Sequence, residues 1–287
     1  MMHAAYPNQA KPKSARFSRK AISSVTFYVG LLLILGVICF PFLWMILASL
    51  KTQVQIMSMD QLFVFSPILN NYQTVFGQYE FVKPIMNSLI IGVASTLLAI
   101  LLGLPAAYAI SRYKQNMLGL IILMVRFIPG ITFLIPWYII FSKMGLVDTH
   151  FALSLSHLLI NLPFIIWIMI PYFDSLPKEL EEAAIVDGSS IVGLFLRIIV
   201  PLSVPGIITA SLLSFIFSWN NLVFSMALAG GKTQTLPLAI FNFISYAAID
   251  WGALMAAAVL ITIPILILSL TSQRFIMQGL TAGAVKG

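Results

Sequence analysis

The chain has 287 residues, of which 60% are hydrophobic and 9% charged, with a mean hydropathy of +1.00 and a formal net charge of +7. A soluble domain carries charge on roughly a quarter of its residues, so this composition excludes a solvent-covered globule and places most of the surface in lipid. The basic residues lie between apolar runs and no segment interleaves them with aromatics, which excludes a nucleic-acid groove.

Residues 1–24 are polar and basic, with Lys11, Lys13, Arg16, Arg19 and Lys20 and no acid. A disordered cytoplasmic tail is expected there. The apolar run behind it is too long for a signal peptide and lacks a small-residue cleavage site near its end. Six apolar segments follow, at 26–49, 85–110, 117–142, 151–173, 199–227 and 253–273. Each approximates the ~20 residues that a spanning helix requires. Their only charge is Arg126, in the third. The expected fold is therefore an all-α integral membrane protein of six transmembrane helices, with a transmembrane domain at 25–275 and a C-terminal tail at 276–287.

Orientation follows from Lys and Arg in the connecting segments. With the N-terminus inside, eleven basic residues fall on the inner side: the five of the tail, Arg112, Lys114, Lys178, Arg197, Arg274 and Lys286. Four fall outside: Lys51, Lys83, Lys143 and Lys232. Both termini are expected in the cytoplasm, and Trp44, Trp137 and Trp251 then anchor the outer ends. The lone Cys39 lies in an apolar run and forms no intrachain disulfide.

Several features invite a chemical reading. Gly230–Thr233 reads Gly-Gly-Lys-Thr, but a phosphate-binding loop needs glycine where Met226 stands, so a glycine turn is expected. His157 and Asn161 are one helical turn apart; with no third ligand nearby, interhelical hydrogen bonding is expected rather than a metal site. Ser154 and His157 share a helix face, but nothing orients the histidine as a protease would need. Arg126 is open to a functional role, or to pairing with carbonyls freed by Pro129 or Pro136, or with a partner subunit. Pro201 and Pro205 break the start of the fifth segment, and Ser218–Asn221 puts Trp219, Asn220 and Asn221 deep in it, facing either protein or a water-filled path. An aromatic ring beside amides suits a sugar, so Trp219, Asn220, Asn221 and Arg126 are the candidate substrate-pathway residues. No acid lies in any span, whereas ion-coupled transporters ordinarily keep ionisable groups near the midplane. No inverted repeat is visible either. A self-sufficient secondary transporter or channel for a small polar solute is the competing class.

Against this scarcity, four of nine acidic residues, Glu179, Glu181, Glu182 and Asp187, crowd into nine positions of the largest inner loop, 174–198. Pro177 suits an early helical position and the acids suit a first turn. Gly188 can stop the helix in a left-handed conformation, and Ser189 can cap a second helix. Ile191, Leu194, Phe195 and Ile198 give that helix its apolar face. A cytoplasmic helix-turn-helix results, with Ala183 and Ala184 leaving a low surface that suits insertion into a partner's groove.

This loop resembles the cytoplasmic signature of bacterial ABC importer permeases: Glu-Ala-Ala, three residues, Gly, nine residues, Ile-x-Leu-Pro. Here it reads Glu182-Ala183-Ala184, Gly188 and Ile198-Ile199-Val200-Pro201, with Val200 in place of leucine. Asn87–Tyr113, Gly145–Thr149, Leu162–Trp167 and Ser218–Asn221 resemble the carbohydrate branch, although Asn221 stands where an acid is usual. Gly279–Gly287 resembles the tail of the maltose-transporter-type second permease. The resemblance implies a non-enzymatic subunit of the bacterial inner membrane, paired with a second permease. It implies a cytoplasmic ATPase dimer that holds the ATP and Mg, and an extracytoplasmic solute-binding protein that delivers a sugar or polyol. No cofactor, metal or catalytic residue is expected in this chain. Coupling is assigned to Glu181, Glu182, Ala183, Ala184, Asp187, Gly188, Ile198 and Pro201, and a tail contact to Gly279, Gly283 and Lys286.

Overall fold

The computed structural model describes residues 14–244 and 249–281. Among them every regular element is helical, apart from one bridge between Ile244 and Ile249. Helix α1 (Ser14–Ser49) begins inside the basic N-terminal segment, so part of the expected disordered tail is helical. Its apolar part lies largely exposed and meets the rest of the chain mainly along the last helix. Lys51, just beyond α1, is buried. Its ammonium donates to the carbonyls of Gln61 and Leu62 at 2.9 and 2.6 Å and sits over the rings of Trp44 and Phe65. Two short helices, α2 (Gln53–Met57) and α3 (Asn70–Gly77), lead to α4 (Val82–Arg112).

The third expected span is broken. Helices α5 (Asn116–Val125) and α6 (Leu134–Lys143), the latter entered through Gly130, meet at 78°. Arg126, Phe127 and Ile128 each donate to the carbonyl three residues back, which tightens the end of α5. Pro129 then has no N–H to continue the ladder. Helix α7 (His150–Asp174) is long, and the Thr149 hydroxyl caps it by accepting from the Ala152 N–H.

Next come α8 (Glu179–Val186), α9 (Ile191–Leu194), α10 (Val200–Leu202), α11 (Val204–Trp219) and α12 (Val223–Leu228). The fifth expected span is broken too: residues 191–202 meet α11 at 77°. Pro201 and Pro205 bracket this bend, and ahead of it the Val200 N–H reaches back five residues to Phe195. A second interruption falls at Asn220 and Asn221. Helices α13 (Leu236–Ala239) and α14 (Trp251–Thr281) are the last α-helices among the described residues. Among the described residues four helices are long and apolar enough to cross a membrane, or up to six crossings result if each bent pair is one span.

Helices α4 and α7 form the most extensive pair, and α11 lies across both and against α14. Small residues permit this. Ala99, Gly103 and Ala107 recur every fourth residue on the buried side of α4, and a Cβ on Gly103 would stand 3.0 Å from Ile165. Buried polar groups join the same three helices: His157 Nδ1 lies 2.6 Å from the Ser218 hydroxyl, Ser95 donates to Ser218 at 3.1 Å, and Asn161 donates to Ser95 at 3.2 Å. His157 and Asn161 thus serve interhelical bonding, as their spacing suggested, and His157 pairs with Ser218 rather than Ser154.

Candidate functional site

The acidic segment folds as a helix-turn-helix. Helix α8 starts at Glu179, two residues after Pro177, and carries Glu179, Glu181 and Glu182 in its first turn, where free N–H groups favour negative charge. Its other end is closed by paired backbone bonds. Gly188 N–H donates to Ile185 at 3.0 Å and Ser189 N–H to Ala184 at 2.9 Å. Gly188 is left-handed, at φ +81°, as the stop requires. The second helix is capped by Ser190, one residue later than expected: its hydroxyl accepts from the Gly193 N–H at 3.1 Å. Ser189 is occupied instead in closing the turn.

The two faces of this unit differ. Glu182, Ala183, Asp187 and Gly188 are exposed, together with the apolar Ile185, Val186, Ile191 and Val192. Ala184 is buried beside Leu194, Ile199 and Phe173, so the alanine pair is split between core and surface. Ile198 is half-buried against that core and Pro201 is exposed at the bend.

Glu181, expected at a contact surface, is also buried. Its carboxylate accepts from the Tyr108 hydroxyl at 2.8 Å and forms an ion pair with Arg112, whose Nε lies at 2.5 Å. Tyr108 and Arg112 are one turn apart at the end of α4, and the guanidinium also lies over the Tyr108 ring. The Tyr108 ring touches Phe173 on α7 and Phe195 beyond α9. Beside this pair, Asp174 accepts from Ser111 at 2.7 Å and from Lys114 at 2.9 Å. Sequence reading missed this clasp because Arg112 and Lys114 counted only as orientation markers. The signal available was Tyr108 and Arg112 at helical spacing in a chain poor in charge.

Arg126 sits at the end of α5 with its guanidinium carbon 4.1 Å from the ring centre of Phe164 and 4.6 Å from that of Phe217. These rings meet edge to face. The pairing is therefore cation–π with α7 and α11. A cavity of about 170 Å³ adjoins it, lined in part by Arg126, Pro129, Gly130 and Ile160. Trp219, a candidate to face a path, faces protein: it is buried against Phe215, and its indole N–H donates to the Ile261 carbonyl at 3.2 Å. Asn220 is exposed with its amide on the Ile216 carbonyl, and Asn221 accepts from the Phe224 N–H. The polar pair thus ends α11 and starts α12.

At the opposite end of α7, the Gly-Gly-Lys-Thr turn does surround an anion, the chain's own Asp148. Its carboxylate accepts from the N–H groups of Gly230, Lys232 and Thr233 and from the Thr233 hydroxyl, at 2.7–3.2 Å. Burial raises the Asp148 pKa, and these four donors together outweigh it and hold the carboxyl below its ordinary range. Lys83 donates to Gly231, and Asn87 donates to Lys232 and Gln234 while its own carbonyl meets His150. The turn is clipped to α4 and α7 together. Of the expected tail contacts, Gly279 falls in α14 with its surroundings outside the described residues, and Gly283 and Lys286 lie outside them altogether.

Comparison with known proteins identifies the architecture. A bacterial ABC transporter chain that imports the acidic polysaccharide alginate superposes with a TM-score of 0.74 at 20% identity, over 93% of this chain and 99% of that one. The fold is that of an ABC importer permease. The family model described as binding-protein-dependent transport system inner membrane component matches residues 99–281, and the chain belongs to that family. It is 36% identical to the trehalose transport system permease protein SugB of Mycobacterium tuberculosis (strain CDC 1551 / Oshkosh), over 89% of this chain and 95% of that one. It is 33% identical to the trehalose/maltose transport system permease protein MalG of Thermococcus litoralis, over 93% and 99%. It is 32% identical to the sulfoquinovosyl glycerol transport system permease protein SmoH of Agrobacterium fabrum, over 96% of both chains.

Proposed function

We propose that the chain is the second permease of an ATP-driven, binding-protein-dependent importer for a sugar or sugar-like solute. It crosses the membrane six times, each bent pair counting as one span, with both termini and the 174–198 loop in the cytoplasm. The carrying observation is the helix-turn-helix, whose outward face presents Glu182, Ala183, Asp187 and Gly188 among exposed apolar side chains. An apolar face rimmed by acids on a loop at one end of the helices suits a groove on a partner. In this reading the partner is the cytoplasmic ATPase, which binds ATP and Mg, while this chain binds neither. A different permease completes the path, and an extracytoplasmic binding protein delivers the solute. The sugar class follows from relatives named for trehalose, maltose and sulfoquinovosyl glycerol.

Within the path, Arg126, the exposed Phe217 and the exposed Asn220 supply donors and a ring face to hydroxyl groups and C–H faces of the solute. Trp219 supports that wall from behind, and Asn221 fixes the helix break. Gly279, Gly283 and Lys286 belong to a C-terminal segment that reaches the ATPase. Purification through a tag on this chain, without crosslinking, tests the assignment. An ATPase and a second permease should copurify, and the reconstituted complex should import solute with ATP. Recovery of the chain alone, active by itself, would establish the secondary-transporter class instead.

A further inference from the structure

We propose that Tyr108, Arg112 and Glu181 fasten the helix-turn-helix to the end of α4, so that the two move as one body when the ATPase moves. The inference rests on the permease reading for the origin of the motion, but the fastening stands on geometry. Glu181 lies in the first turn of α8 and points away from the outward face that Glu182 and Ala183 occupy. Both side chains of the ion pair are almost wholly removed from solvent, at 11% exposure each. The Tyr108 hydroxyl supplies a further bond to the same carboxylate, and the Tyr108 ring wedges between Phe173, just before the loop, and Phe195, near the loop's far end. Asp174, at the loop's entry, is held by Ser111 and Lys114 of the same helix end. The loop is thus bound to α4 at its start and at its first helix.

The consequence is mechanical. A loop joined to the bundle only through α7 and the bent 191–202 segment could rock without moving α4. With a buried charge on each side of the junction, separation would leave an unpaired ion in a dry place, a strongly disfavoured state. Movement of α8 therefore carries α4, and α4 carries α7, its most extensive partner. Glu181 is in this account a positioning residue for coupling, while the surface contact belongs to Glu182 and its neighbours.

The test uses the complex purified through this chain, with Cys39 replaced by serine and spin labels at Glu179, exposed on α8 outside the docking face, and at the exposed Leu101. In the wild type the distance distribution between labels should be narrow and the same without nucleotide and after trapping with Mg-ATP and vanadate. In Arg112→Gln it should broaden without nucleotide and shift on trapping. ATP hydrolysed per solute imported should rise about tenfold, within the ordinary range of coupling between sites. The swapped pair Arg112→Glu with Glu181→Arg should restore the narrow distribution, a rescue that loss of packing alone would not give. Tyr108→Phe, which keeps the ring, should give an intermediate width if Arg112→Gln does not assemble. A wild-type distance that changes on trapping would overturn the proposal, as would an unaltered distribution in Arg112→Gln, or in Tyr108→Phe where that variant stands in. Absence of an ATPase from the purified material would instead overturn the permease reading, since the nucleotide-free widths still report the fastening.

Discussion

Gly188 has open space around it: nothing lies within 4 Å of where a Cβ would stand. Its constraint is the backbone, at φ +81°. A branched side chain there costs about 1–2 kcal/mol in the left-handed conformation, whereas asparagine tolerates it. Gly188→Val should therefore insert normally but lose ATPase copurification and uptake, and Gly188→Asn should retain both. Equal uptake by the two variants would show that the turn's handedness is irrelevant. The acids separate in the same way. Glu182 is exposed within the Glu-Ala-Ala motif and Glu179 is exposed before it. Glu182→Lys should weaken ATPase copurification, and Glu179→Lys should leave it near the wild-type level. Neither substitution disturbs a bond in the structure, so a difference between them reports the partner's footprint.

At the scale of elements, Asp148 does for its turn what Glu181 does for α8. It stands at φ +60°, a conformation that aspartate visits more readily than most residues, and gathers three backbone donors from a chain segment more than eighty residues away. Asp148→Ala leaves those donors without an acceptor, at a cost of about 1–3 kcal/mol. Trypsin should then cut faster after the exposed Lys232. The pH dependence has a definite sign. Because the folded carboxyl is held below its ordinary 3.8, its stabilising contribution is complete above that value. It is lost as pH falls below 3.8 through the folded value. Pepsin cleavage near Leu228–Leu236 should rise over that interval in the wild type relative to Asp148→Asn, a ratio that cancels the protease's own profile. A ratio flat with pH would mean that the charge contributes nothing to holding the turn.

For the whole molecule, the basic-residue asymmetry sets the expected orientation. A reporter active only outside the cytoplasm should be silent when fused at Gln115 and active at Lys143. The reverse pattern would place the helix-turn-helix on the wrong side for an ATPase. The energy source is a second whole-molecule question. No acid stands within an expected span, which disfavours coupling to a proton gradient. In proteoliposomes holding the full complex and ATP, a proton ionophore should leave uptake unchanged, and a collapse of uptake would favour an ion-coupled mechanism.

The membrane class, the positions of the apolar segments and the helix-turn-helix were legible in the sequence because each rests on local rules. Hydropathy depends on composition, the Gly188 stop on one residue's stereochemistry, and the crowding of acids on the first turn of α8. The permease family was legible for a related reason, since the Glu-Ala-Ala spacing is a local pattern. Three features were decided only by tertiary structure. The span at 117–142 proved to be a bent pair, because hydropathy records how apolar a segment is and not where its backbone ladder is interrupted, whereas the break at the start of 199–227 was marked in the sequence by Pro201 and Pro205. Glu181 and Ala184 went into the core while Glu182 and Ala183 stayed outside, since which side of a short helix is buried depends on what packs against it. Trp219 faced protein and Arg126 found Phe164 and Phe217, contacts between residues tens of positions apart that no local rule specifies. The sequence by itself determined which segments are apolar enough to enter a membrane and where the acidic loop turns. The tertiary structure decided which charges are spent on holding the fold and which remain free for a partner, because burial is a property of the assembled helices and not of any one of them.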